Sequence, residues 1–307
     1  MERRRPMMRP RGVYVAMMTP FSQDGALKLE VVREMVEFLV EKGVDGLFPV
    51  SSVGESVHLT MEERVLLMKT VVEAAKGRVP VVPGVGTTNP YHSTVLAVEA
   101  SKMGCDGVVV APPYFYKISE GMLETYFQSI HDGAGIPMIL YNIPLFTQPL
   151  SPELVGRLSL RPRIVGLKES SGSMVEFVNF MDEVKRKGGE MSFLTGREET
   201  FLAALAMGAD GCMVATAAVV PEVMIGIKEA YERAEMEKAR RLQLAVIPLI
   251  RACFSLPFPA GFKLAMEARG FPMGPPRQPL SERESKEADR LKERMKELIR
   301  EAMAALG

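Results

Sequence analysis

The chain has 307 residues, of which 47% are hydrophobic and 25% charged. This is an ordinary globular balance, in a length that suits one α/β barrel of roughly 250 residues with an extension. Its 38 basic and 38 acidic residues cancel, which argues against a nucleic-acid partner, and no apolar run reaches the roughly 18 residues that a membrane span needs.

Residues 1–11 read as a basic N-terminal arm, rich in arginine but without the apolar core of a secretory signal. From 12 to 234, short apolar runs alternate with amphipathic stretches. Strands are expected at 13–17, 46–50, 80–85, 107–111, 138–141, 164–168, 192–195 and 212–215. Helices are expected after them, at 28–42, 61–75, 91–103, 119–132, 152–158, 174–187, 198–207 and 221–234. Three helix-to-strand turns share one design: Gly43-Val44-Asp45-Gly46, Gly104-Cys105-Asp106-Gly107 and Gly208-Ala209-Asp210-Gly211. The first glycine suits the left-handed residue that ends a helix, and the Asp-Gly pair suits a tight turn into the next strand.

Regular βα units of this kind predict a (β/α)8 TIM barrel. A doubly wound open sheet is the rival, but the even spacing of the units favours closure. From 235 to 307 the pattern is purely helical, with periods over 238–251, 259–268 and 281–305, and reads as a C-terminal helical extension packed on the barrel. Cys105, Cys212 and Cys253 are odd in number and not closely spaced, so no disulfide framework is expected. The chain therefore reads as cytoplasmic.

In such a barrel the active site lies at the C-terminal ends of the strands. The run Arg163-Ile-Val-Gly-Leu-Lys168 ends a buried strand in an amine, and burial disfavours its charged form and makes it a nucleophile for carbonyl carbons. A lone lysine after a strand is more often a solvated strand end. Here, however, the neighbouring strand ends carry further carbonyl chemistry. The strand before ends in Tyr141-Asn142-Ile143-Pro144. The second strand runs into Ser51-Ser52-Val53-Gly54-Glu55-Ser56, a small hydroxyl-rich turn suited to presenting N–H groups to a carboxylate. The last two strands lead to Gly196-Arg197-Glu198-Glu199 and to Thr216. An amine, a phenol and an N–H-rich turn together suit a Schiff-base enzyme acting on a 2-oxo acid. Taken singly, Tyr141 reads equally as a packing residue and Ser52 as a helix cap.

The Lys168 strand, Tyr141-Asn-Ile-Pro144, the turn Val50–Ser56, Thr19-Pro-Phe21 and Gly208-Ala-Asp-Gly211 together resemble the dihydrodipicolinate synthase/N-acetylneuraminate lyase family of pyruvate-dependent class I aldolases. The resemblance covers almost the whole chain. It implies that Lys168 is the Schiff-base lysine, Tyr141 the proton-relay tyrosine, and Ser52 with Ser51 and Val53 the carboxylate-binding turn. It also implies a homo-oligomer, a dimer or tetramer, acting on pyruvate and an aldehyde. Gly196, Glu198, Glu199 and Thr216 are further candidate substrate contacts, with Tyr116, Arg197 and Ser170 beside them.

The departures from the family pattern are specific. Aligned on Gly54-Glu55, the paired hydroxyl residues become Ser52 and Val53, unless Ser51 and Ser52 form the pair through an insertion. The tyrosine that the synthases donate across a subunit interface aligns with Phe115, flanked by Tyr114 and Tyr116. The arginine that holds the carboxylate of aspartate semialdehyde aligns with Phe146. The expected reaction is therefore cleavage or formation of a 2-oxo-3-deoxy sugar acid, with glutamates 198 and 199 accepting hydrogen bonds from sugar hydroxyls. Condensation of pyruvate with aspartate semialdehyde is the alternative, and a non-catalytic ligand-binding barrel the remote one.

Other signals carry less. Gly84-Val85-Gly86 lacks the third glycine of a dinucleotide fingerprint, and no cofactor is implied. His58, His92 and His131 lie too far apart in sequence to suggest a metal site. Lys117 and Lys263 end no predicted strand and read as solvated or contact residues.

Overall fold

The structure, a computed structural model, describes residues 8–307. Seven parallel strands stand in the order β2-β1-β7-β6-β5-β4-β3. They are β1 (Gly12–Ala16), β2 (Gly46–Phe48), β3 (Val108–Val110), β4 (Met138–Asn142), β5 (Ile164–Glu169), β6 (Ser192–Thr195) and β7 (Gly211–Val214). All of their residues are buried, which is why the runs are apolar from end to end rather than alternating.

The strand expected at 80–85 forms no regular ladder. It sits between β2 and β3 and touches each through one parallel bridge, Leu47 with Val81 and Gly84 with Val109. The cause lies in its composition, since Pro80 and Pro83 have no N–H to donate. The hydrogen bonds that remain, Val82 N–H to the Leu47 carbonyl and Val85 N–H to the Val109 carbonyl, join the two edges. The barrel closes through them.

Helices α1 (Leu29–Glu41), α2 (Met61–Ala75), α3 (Pro90–Lys102), α4 (Glu120–Ala134), α5 (Pro152–Leu158) and α6 (Met174–Lys187) fall where the pattern placed them. Their starts are chemically marked. Thr60 and Glu63 form a reciprocal capping box, and Asn89, Ser119, Ser151 and Ser173 cap their helices by side-chain hydrogen bonds. The helix expected over 198–207 is instead a single 3-10 turn, Glu198–Thr200, followed by α7 (Phe201–Ala206). A further short helix, α8 (Thr216–Val219), follows β7 and precedes α9 (Pro221–Glu232).

The three repeated turns do more than reverse the chain. Gly43, Gly104 and Gly208 have φ of 81°, 83° and 97°, the left-handed conformation expected of them. Each aspartate then reaches sideways to the start of a neighbouring strand segment. Asp45 accepts from Val13 N–H, Asp106 from Val81 N–H and Asp210 from Phe193 N–H, at 2.8, 2.9 and 3.0 Å. The repeat thus staples the lower rim of the barrel.

Beyond α9 the chain is helical: α10 (Met236–Phe254), α11 (Ala260–Ala268) and α12 (Glu282–Ala304). α10 packs on α9, and α12 packs on both α10 and α11. Among the described residues no helix is long and apolar enough to cross a membrane, and the three cysteines are buried and unpaired. The basic arm expected at 1–11 falls mostly outside the described residues. Of its arginines, Arg9 and Arg11 pair with Glu190 and Asp210 at the surface.

Candidate active site

Lys168 and Tyr141 are register partners on adjacent strands β5 and β4, so their side chains leave the sheet on the same face. Lys168 is 3% exposed. Its Nζ lies 4.1 Å from the centre of the Tyr141 ring and 4.9 Å from that of Phe48. Among the described residues no carboxylate is paired with this amine, so it is held by ring faces rather than by an ion pair. Phe48, which meets Tyr141 edge to face, carries no chemistry of its own and gave no sequence signal.

The Tyr141 hydroxyl meets Ser52 Oγ at 3.2 Å. That serine stands on the turn after β2, whose internal bonds use the N–H groups of Gly54, Glu55 and Ser56. Among the described residues the N–H groups of Ser52 and Val53 have no acceptor, and both residues line a cavity of about 50 Å³ that reaches Lys168. An anion bound there would meet two backbone donors and one hydroxyl. Ser51, the other candidate hydroxyl, is engaged inside the protein: it donates to the Met17 carbonyl at 3.0 Å and accepts from Gly54 N–H at 3.1 Å. It holds the turn and does not face the cavity, so the pairing of Ser51 with Ser52 as substrate contacts is corrected.

Gly196 and Ser170 complete the wall around the amine. A Cβ on Gly196 would stand 2.8 Å from Lys168 Cε and 1.8 Å from Ser170 Oγ, so only glycine fits. The Ser170 hydroxyl is buried, lines the cavity and has no hydrogen-bond partner among the described residues, which leaves it open to a bound molecule. Behind it Glu169 accepts from Asn142 Nδ2 and from Ser171 N–H, while Asn142 accepts from Leu150 N–H. This bracket fixes the ends of β4 and β5. Burial, the largest influence on the Glu169 carboxyl, raises its pKa.

Three other expected contacts lie differently. Glu198 is 3% exposed, and its Oε1 accepts from Ala215 N–H, Thr216 N–H and Thr216 Oγ at 3.1, 3.2 and 3.1 Å. Glu198 lines the Lys168 cavity, and its Oε1 is taken up by Ala215 and Thr216, because β7 ends directly in α8 and needs an acceptor for its first N–H groups. Burial raises the Glu198 pKa. Glu199 does not line the Lys168 cavity, and its Oε1 pairs with Arg197 at 3.0 Å. Arg197 does line it, with its guanidinium 5.2 Å above the Phe254 ring.

Phe146, Phe254 and Phe258 supply the apolar side of the cavity. A second pocket of about 280 Å³ lies beside it and shares Ser52, Tyr141, Ile143, Phe146 and Phe258 with it. Tyr114 lines that second pocket. Tyr116 reaches neither pocket and is 75% exposed beside Phe115, which is 88% exposed with φ of 84°.

Residues 9–298 match the model of the dihydrodipicolinate synthetase family. A 4-hydroxy-tetrahydrodipicolinate synthase of Methanosphaerula palustris is 36% identical over 285 residues, covering 92% of this chain and 97% of its own. A probable 2-dehydro-3-deoxy-D-pentonate aldolase of Escherichia coli, YjhH, is 34% identical over 266 residues, covering 85% and 88%. Among solved structures, YagE of Escherichia coli, a protein of the dihydrodipicolinic acid synthase family in complex with pyruvate, superposes with a TM-score of 0.84 at 30% identity, over 93% of this chain and 98% of its own.

Proposed function

The chain belongs to the dihydrodipicolinate synthetase family of pyruvate-dependent lyases, and within it we propose a class I aldolase that cleaves or forms a 2-oxo-3-deoxy sugar acid. One arrangement carries this reading: the Lys168 amine lies against Tyr141, whose hydroxyl meets Ser52 on a turn with two open N–H groups. In it, the 2-oxo acid carboxylate sits on the N–H groups of Ser52 and Val53, which brings C2 towards Lys168. Nζ attacks C2, the carbinolamine oxygen leaves as water with a proton delivered by Tyr141, and an iminium forms. In cleavage, the Tyr141 phenolate left by that step takes the proton of the C4 hydroxyl, and the C3–C4 bond breaks. The bonding pair is taken up as an enamine on Lys168 and the aldehyde departs. Reprotonation at C3 and hydrolysis release pyruvate.

The cavity wall favours a hydroxyaldehyde. Phe146 is apolar where the synthases hold a semialdehyde carboxylate, and an unpaired charge brought against it costs several kcal/mol. The open hydroxyl of Ser170 suits a hydroxyl of the substrate. The second reading, condensation with aspartate semialdehyde, is favoured by Arg197 at the cavity and by the synthase relatives. The same proposal includes self-association, supported by the exposed Phe115 and Tyr116, and a cytoplasmic setting, supported by three buried free thiols.

Two measurements test the reading. Pyruvate with borohydride is expected to fix a three-carbon adduct on Lys168, located by mass spectrometry, and an adduct elsewhere or none refutes the mechanism. The kcat/KM for pyruvate with glyceraldehyde is expected to exceed that with aspartate semialdehyde. A preference for the semialdehyde that Arg197→Ala abolishes would establish the synthase instead.

A further inference from the structure

The turn that presents Ser52 and Val53 is bounded by two residues in the left-handed region, Val50 with φ of 54° and Glu55 with φ of 57°. Neither is glycine, and a β-branched residue there is a rare conformation that its surroundings must enforce. On one side the enforcement is local. Thr19 Oγ donates to the Gly54 carbonyl at 2.7 Å, and Ser51 Oγ donates to the Met17 carbonyl.

On the other side it comes from the far end of the chain. Glu55 is 2% exposed and both of its carboxylate oxygens are engaged. Oε1 accepts from Lys263 Nζ of α11 at 3.1 Å, and Oε2 accepts from the Arg277 backbone N–H at 2.8 Å. Lys263 is itself 2% exposed, donates to the Pro275 carbonyl at 2.8 Å and lies 4.4 Å from the Phe21 ring centre. The Arg277 guanidinium crosses the same ring and pairs with Glu63 and with the carbonyls of His58 and Gly25. A buried charge pair with both carboxylate oxygens engaged and the ammonium bonded on two sides holds its two elements in one geometry, and removing one partner strands the other.

We infer that Lys263 is a positioning residue, which fixes the carboxylate-binding turn through Glu55, so that the C-terminal helical region sets the affinity for the 2-oxo acid without touching it. The inference rests on the proposed role of the Ser52–Val53 turn. It differs from a purely structural role in predicting which kinetic quantity moves. A slackened turn misplaces the N–H groups that receive the carboxylate, while Lys168 and Tyr141 stay on rigid strands.

The test is borohydride trapping of the full chain over a range of pyruvate concentrations, which separates the half-saturating concentration from the limiting rate. Glu55→Gln keeps the volume but presents an amide N–H₂ to one of two donors, and Lys263→Met removes the ammonium at similar length. Each is expected to raise half-saturation about 10- to 100-fold, the range for a disrupted hydrogen bond to a charged group, with the limiting rate little changed. Lys263→Arg is expected to restore most of the loss. Lys228→Met, which breaks the part-buried Lys228–Asp45 ion pair at the opposite rim of the barrel, is expected to leave half-saturation alone. If Lys263→Met fails to fold, Glu55→Gln and Lys263→Arg decide the matter. Folded variants that saturate as the parent does, or that lose limiting rate instead of affinity, overturn the inference. Failure of the parent itself to form an adduct overturns the proposed function beneath it.

Discussion

Replacing Glu198 separates a wall-building role from a substrate contact. Glu198→Ala leaves the N–H groups of Ala215 and Thr216 buried without an acceptor. At about 1–3 kcal/mol for each orphaned donor, the expected loss is about 2–6 kcal/mol, because the Thr216 hydroxyl can rotate to another acceptor. Glu198→Gln keeps an acceptor oxygen in place and is expected to cost far less. The comparison also has a pH signature. Burial raises the Glu198 pKa above its ordinary 4.5, so the carboxyl is stabilised in the fold when protonated. That contribution is complete below the unfolded value and is lost as the pH rises through the folded one. Glutamine stays neutral throughout. Between pH 4.5 and the raised value in the fold the stability difference should therefore move in favour of Glu198→Gln, and above that value it should level off. Urea unfolding at several pH values reads both effects. A Glu198→Gln variant with parental stability but more than a hundredfold loss in kcat/KM would refute the structural assignment and return Glu198 to the substrate.

Three further outcomes follow from the same geometry. Tyr141→Phe removes the hydroxyl that meets Ser52 and should slow turnover by about 10²- to 10⁴-fold with the fold intact, read by steady-state kinetics beside circular dichroism; a loss below tenfold would leave Tyr141 as packing. Gly196→Ala places a Cβ against Lys168 Cε and Ser170 Oγ, and should slow borohydride trapping far more than it lowers the melting temperature. Asp210→Ala strips an acceptor from Phe193 N–H and should cost about 1–3 kcal/mol in urea unfolding with kcat unchanged, because the staple lies at the opposite rim from Lys168.

What the sequence made legible divides by range. The barrel count, the strand ends and the pair Lys168–Tyr141 are local readings. Each needs only an apolar run and the residue that ends it, and parallel register then brings the two side chains to one face. The run at 80–85 is apolar enough to read as a strand, and its two prolines, equally local, keep it from a regular ladder. Position at a strand end does not say where a side chain turns, either at Ser51 or at Glu198, which lines the Lys168 cavity all the same. Each found a nearer partner, Thr216 in one case and the Met17 carbonyl in the other.

Lys263 is legible only in the folded chain. It ends no strand and sits in a helix that reads as an appendage, so nothing local marks it. Its partner Glu55 lies 208 positions away in sequence and looks like one more polar residue of a turn. A pairing across that separation becomes visible only when the barrel closes and the C-terminal helices pack back on it. The cost of burying both charges is general, and what the protein gains for it is specific. On the proposed reading, a turn that presents bare N–H groups to a carboxylate cannot be stabilised by bonding those same groups internally. Its rigidity has to come from the side chain next to them, and Glu55, held by α11 and the Arg277 backbone, is placed to supply it.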